Sequence, residues 1–178
     1  MIKSRLFGYN LLELCFTLAI SAILFMLAIP ALQDFTQREK TQTTVNQLVN
    51  LLHYARLYAI ESSTTVIFCA SLDHKTCNPA WSGDFIVFIN ENNQGKVAHK
   101  KDLLRIWHLP SERGTIRWQA KQAHLSMQPT GISPSNAGKF YYCPADHNVD
   151  YARAIVINFM GRIAITDKHT ETKLNCHY

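Results

Sequence analysis

The sequence predicts an α+β fold, with one long N-terminal helix packed on a C-terminal, mainly antiparallel β-sheet domain. Three observations carry this. No charged residue lies between Leu14 and Leu32, a run about long enough to cross a bilayer as a helix. Apolar residues then recur near helical spacing at Val45, Leu48, Val49, Leu52, Ala55, Leu57 and Ala59. Beyond Glu61-Ser62-Ser63 the chain changes to short β-branched and aromatic runs, separated by clusters of Gly, Pro, Asn and Ser.

Lys3 and Arg5 precede the apolar run. A basic flank of this kind orients an inserted helix with that end inside. A secretory signal peptide has the same order of basic and apolar regions. This run is long for one, and Gln33-Asp34-Phe35 is no small-residue cleavage site. A plain single-pass anchor fits the length but leaves Glu13 unexplained. An ionisable group at the membrane edge is costly and usually has a partner. No flexible linker follows, so the helix is expected to continue from Asn10 to Ile60, roughly 75 Å at 1.5 Å per residue. Pro30 should kink it or interrupt a turn. Lipid then surrounds the first half, and one face of the second half meets the chain's own domain.

Strands are expected at 64–68, 84–89, 103–109, 114–118, 124–127, 139–143, 153–159 and 161–166, with Met160-Gly161 at the last turn. Asn90–Gly95 and Ser133–Asn136 read as loops. The formal charge is +5, and the segment before Tyr9 holds two of those charges. That modest excess does not prove an anionic partner. Four cysteines follow the apolar run: Cys69, Cys77, Cys143 and Cys176. In an outward-facing domain they suit disulfides, and three pairings are open. Cys69–Cys77 with Cys143–Cys176 is the preferred one; the alternative keeps some as buried thiols. Cys15 reads as a lipid-facing or helix-facing side chain.

Catalytic patterns are missing from the sequence. The eight histidines are scattered without an H-E-x-x-H pair, and no Walker loop, dinucleotide fingerprint or nucleophile elbow occurs. His74 between Cys69 and Cys77 lacks the ordered ligand spacing of a zinc site. The expectation is a protein without enzymatic activity, metal or cofactor.

Gly8-Tyr9-Asn10-Leu11-Leu12-Glu13-Leu14 resembles the prepilin leader motif of type IV pilins and type II secretion pseudopilins. The resemblance implies cleavage after Gly8 by a prepilin peptidase, N-methylation of Tyr9, an assembly role for Glu13, and Pro30 as the helix-bending proline. Tyr9 departs from the usual Phe. Later stretches resemble the minor-pseudopilin branch called GspH/FimT: residues 51–60, Val66–Cys69, Trp81-Ser82-Gly83, the Gly95 loop, Thr130-Gly131, Phe140–Cys143 and Phe159–Arg162. The implied organisation is a leader at 1–8, a helix at 9–61 spanning the membrane over about 11–32, and a periplasmic domain at 62–178. The implied location is the bacterial inner membrane, then a pilus or pseudopilus. Other pilins or pseudopilins and the peptidase/N-methyltransferase are the implied partners, and the implied role lies in type II secretion or type IV pilus biogenesis.

Some members of this branch resemble DNA receptors for natural transformation, with a glycine-arginine-x-arginine motif near the C-terminus. The matching tetrad here is Gly161-Arg162-Ile163-Ala164, so Ala164 replaces the second arginine. Lys168, Lys173 and Lys139 are candidates to supply the lost charge to duplex DNA. The plainer reading takes them as solvated cations near Asp167 and Glu171.

The leader reading carries a direct test. Mass spectrometry of the membrane-extracted protein should show Tyr9 as the N-terminal residue. Gly8→Glu should leave the full-length chain, because only a residue without a side chain suits a close-fitting cleavage site. An intact Met1 terminus in the unaltered protein would refute the leader.

Overall fold

The structure is a computed structural model that describes residues 11–91, 95–133, 137–166 and Cys176. It divides into two compact units, Met1–Glu39 and Lys40–Tyr178. Helix α1, Leu11–Glu61, supplies the described part of the first unit and the opening element of the second.

The first unit is helical from Leu11 onward and, between Leu14 and Leu32, without a charged residue on any side. Each large apolar side chain from Leu11 to Phe35 is more than half exposed. Helices of this kind suit lipid rather than a water-facing surface. This is the one described helix long and apolar enough to cross a membrane. Thr17 and Ser21 donate their hydroxyls to the carbonyls of Leu14 and Leu18, each at 2.9 Å, which satisfies them without water. Pro30 sits inside the helix. It brings no N–H to the carbonyl one turn before it.

In the second unit α1 buries one stripe: Thr41, Thr44, Val45, Leu48, Leu52, Ala55 and Ala59. The spacing is that of one helical face. Leu57, counted with the apolar pattern from sequence, falls off this stripe and is exposed. The helix ends in a Schellman turn. Ser63 is left-handed at φ 52°, and Thr64 N–H donates to the Ala59 carbonyl at 3.2 Å.

Eight strands follow: β1 Val66–Ser71, β2 Asp84–Ile89, β3 Leu103–Trp107, β4 Thr115–Gln119, β5 Leu125–Met127, β6 Gly138–Cys143, β7 Arg153–Ile157 and β8 Ile163–Thr166. They form two four-stranded sheets, ordered β3-β2-β1-β5 and β4-β6-β7-β8, with every pairing antiparallel. β4 and β5 are consecutive in the chain yet enter different sheets. β1 is buried along its whole length. By strand alternation, Val66, Phe68 and Ala70 share one face with Phe85, Val87 and Arg105. Arg105 lies over the ring of Tyr54 on α1, 4.7 Å from its centroid, so this face looks toward the helix.

An aromatic cluster joins the two sheets. Phe140 of β6 packs on Trp118 of its own sheet at 4.4 Å between ring centroids. It also meets Phe68 of β1 edge-on at 5.6 Å and Trp81 at 5.3 Å. Tyr142, also on β6, donates its hydroxyl to the Arg113 carbonyl and lies beside Thr41 and Thr44 of α1. Burial pushes its phenol up from the ordinary value.

The opposite face of the first sheet carries Cys69 and Asp84. The Cys69–Cys77 disulfide, with 5.6 Å between Cα atoms, ties the following loop down. Asp84 ties it a second time. Its carboxylate takes His74 Nε2 at 2.7 Å and His108 Nδ1 at 2.6 Å. The bonds from His108 and His74 hold the Asp84 carboxyl below the usual carboxylate range.

Two outcomes are expected. Phe140→Ala should cost about 3–5 kcal/mol, read as a lower thermal midpoint by near-ultraviolet circular dichroism in detergent. Asp84→Asn should alter the acid limb of stability. A depressed folded-state value contributes stability above the unfolded carboxyl's titration, and that contribution disappears as pH falls through the folded value. The unaltered protein should therefore lose stability more steeply than the variant between about pH 5 and pH 2. Parallel acid limbs would show that the two histidine bonds add nothing.

Candidate functional site

Functional residues read from the sequence fall into two groups, one in each unit. Gly8 and Tyr9 lie outside the described residues. Glu13 occupies the first described turn of α1, exposed, with no side-chain partner among the described residues. In an apolar environment an ionised carboxylate carries a desolvation cost that only a partner offsets. Pro30 lies four to five turns farther along the same helix.

The second group sits around the β7–β8 turn. Asn158 organises this turn: its carbonyl accepts Gly161 N–H at 2.9 Å, and its side-chain oxygen accepts Arg162 N–H at 2.9 Å. Gly161 has φ 71°, and a Cβ there would stand 2.1 Å from the Gly131 carbonyl oxygen. Only glycine fits. Arg56 of α1 bonds both turns at once, donating Nε to the Gly131 carbonyl at 2.8 Å and Nη2 to the Met160 carbonyl at 3.3 Å. Ser133 adds a third tie, from its N–H to the Phe159 carbonyl at 2.9 Å. The turn is thus built onto the helix, and it presents exposed Arg162, Phe159 and Met160 at the surface. Arg56 has no assigned role in the sequence reading. Its signal is a lone cation near the end of an apolar helix, followed by two Gly-containing turns with carbonyls to satisfy.

Lys139 lies on β6, opposite Val156 of β7, which in turn pairs with Ala164 of β8. Cross-strand neighbours share a face, so Lys139 and Ala164 stand on the same side of the second sheet, away from Phe140. Cys143 is on that side as well and is bonded to Cys176, with 5.7 Å between Cα atoms. The chain therefore returns to this face after β8. Lys168 and Lys173 belong to the returning stretch and lie outside the described residues, as do Asp167 and Glu171. His147 Nδ1 meets the Cys176 carbonyl at 2.9 Å, a further tie at the same point.

For metals, the donor chemistry near His74 is spent. Both neighbouring cysteines are bonded to each other, and the ring is held by Asp84. Among the described residues no group of three or more His, Cys, Asp and Glu side chains has the geometry to hold an ion.

Comparison with known proteins places this geometry. The family profile described as type II transport protein GspH matches residues 44–161, about two thirds of the chain. The type IV minor pilin FimU of Pseudomonas aeruginosa is similar in one crystal form at 24% identity, covering 80% of this chain and 99% of that one with a TM-score of 0.57. In a second crystal form the figures are 22%, 76%, 99% and 0.53. The minor pseudopilin EpsH from the type 2 secretion system of Vibrio cholerae is 10% identical over 72% of this chain and 97% of that one, with a TM-score of 0.53. No curated protein matches. These solved structures share the chain's fold over the stretch they match, and by its family match the chain belongs to the GspH family of type II transport proteins.

Proposed function

We propose that this chain is a minor pilin or pseudopilin subunit. It is anchored in the bacterial inner membrane by α1 with its β domain in the periplasm, and it assembles with other pilins in type II secretion or type IV pilus biogenesis. The observation that carries the reading is Glu13, a single acid in an otherwise apolar helical segment, joined to a domain of the GspH family. Prepilin peptidase cleaves after Gly8 and methylates Tyr9. The new amine then lies about one turn from Glu13. An ionised carboxylate in an apolar fibre core is expensive unless a cation pairs with it. The Tyr9 amine of a neighbouring subunit is that cation, and the pair sets the axial register that apolar packing alone leaves free. The role is assembly rather than catalysis.

Glu13→Gln tests this. The variant should be cleaved and inserted normally, yet its recovery in cross-linked complexes with partner subunits should fall severalfold. Normal incorporation at normal expression would remove the pairing and leave Glu13 as a surface marker or a peptidase determinant.

A second reading is a DNA-binding minor pilin for natural transformation. It is supported by exposed Arg162 at the β7–β8 turn and by Lys139 on the same face of the second sheet as Ala164 of β8. Against it stands Ala164, where the motif has its second arginine. Loss of salt-sensitive duplex binding in Arg162→Ala with Lys168→Ala would support this reading, and absence of binding at low salt would dismiss it.

A further inference from the structure

A second cationic feature lies away from the β7–β8 turn, on the disulfide-tied loop. Thr76 and Lys96 form an isolated β-bridge, and Val97 N–H donates to the Lys75 carbonyl at 2.8 Å. These bonds clip the loop after β1 to the segment before β3 and border an open surface hollow of about 500 Å³. Its walls include Lys75, Lys96 and His99, with Val97 and Ala98 as small apolar surface between them. Lys100 and Lys101 follow directly, and all four lysines are exposed.

The acids nearby bond within their own loops rather than to these lysines. Asp73 is on the wall, but its carboxylate is turned into its own loop. It accepts the N–H groups of Lys75 and Thr76 at 2.8 Å each, and the hydroxyls of Ser71 and Thr76 at 3.0 Å each. Those backbone bonds hold it far below the usual carboxylate range, so it stays ionised at neutral pH and offsets part of the lysine charge. Asp102 is buried and accepts His99 N–H at 2.7 Å. No ion pair to any of the four lysines occurs among the described residues.

We infer that this hollow binds a phosphate group, carried either by free phosphate or by a lipid headgroup. Lysine ammonium groups act on phosphate as point charges, and the two wall lysines can both reach the oxygens of one tetrahedral anion. The size is that of a small-ligand site. A duplex is too broad to enter and would touch only the rim. Among the described wall residues no Phe, Tyr or Trp stands there to stack a single-stranded base. This inference does not depend on the assembly role or on DNA binding by the C-terminal stretch.

Titration of the detergent-solubilised full chain, followed by phosphorus NMR, tests it. The two probes are inorganic phosphate and monomeric dihexanoyl phosphatidic acid. Saturable binding is expected, and the probe bound more tightly names the source. Lys75→Gln with Lys96→Gln should weaken binding by about tenfold or more, since each lysine contributes a charge-assisted bond. Lys96→Arg and Lys121→Gln, at an exposed residue outside the described walls of the hollow, should bind as the unaltered protein does, which separates lost charge from a lost fold. Equal binding by the double variant would overturn the site. So would no saturable binding of either probe, or lysine-dependent binding of a short DNA duplex when neither small probe binds.

Discussion

Two sheets that share no strand must be held by side chains, and the Phe140 cluster does this. Hydrogen bonding stops at the edges β5 and β4, so nothing in the backbone ladders joins the first sheet to the second. Phe140 touches Trp118 within its own sheet and Phe68 in the other, with Trp81 completing the contact. Apolar burial has no direction, but edge-on ring contacts do, and they restrict how the two sheets can turn against each other. The disulfide loop depends on that arrangement. Trp81 comes from the loop that Cys69–Cys77 and Asp84 tie down, so the loop is part of the core rather than a cover over it.

Arg56 shows a related economy. Its guanidinium meets carbonyl dipoles of two turns that are distant in sequence. Gly161 approaches Gly131 so closely that an added Cβ would meet the Gly131 carbonyl, and Gly131 itself is held at φ 75°, where a side chain is strained. Helix end, first turn and second turn are therefore one unit, and the position of Arg162 follows from it. The family resemblance marked Arg162, while the residues that place it lie on three separate stretches.

Much of the fold was legible in the sequence because its signals are local. Every strand but β5, which is Leu-Ser-Met, contains β-branched or aromatic residues, and the buried stripe of α1 follows a helical period. Shifts at the ends have particular causes. β1 starts at Val66 rather than Thr64 because Thr64 is used in closing the helix. It runs on through Ala70 and Ser71, poor strand formers, because Phe85 and Asp84 pair with them. The division into two sheets was not legible. It rests on β1 pairing with β5 across more than fifty residues, and no local preference encodes a partner at that distance. The phosphate hollow was hidden for the same reason, since Lys75 and Lys96 meet only through a bridge between separate loops.

The stripe on α1 also has a mechanical consequence. Within the second unit the helix forms no ladder hydrogen bonds with either sheet. A pull along its axis from Lys40 is therefore resisted in shear, by Leu48, Leu52, Ala55 and Ala59 sliding against the sheets, with the Arg56 bonds as the stop near the far end. Shear along a closely packed seam must displace many contacts together, unlike strands unzipped one bond at a time. A domain joined to its anchor in this way tolerates tension along the helix better than tension across it.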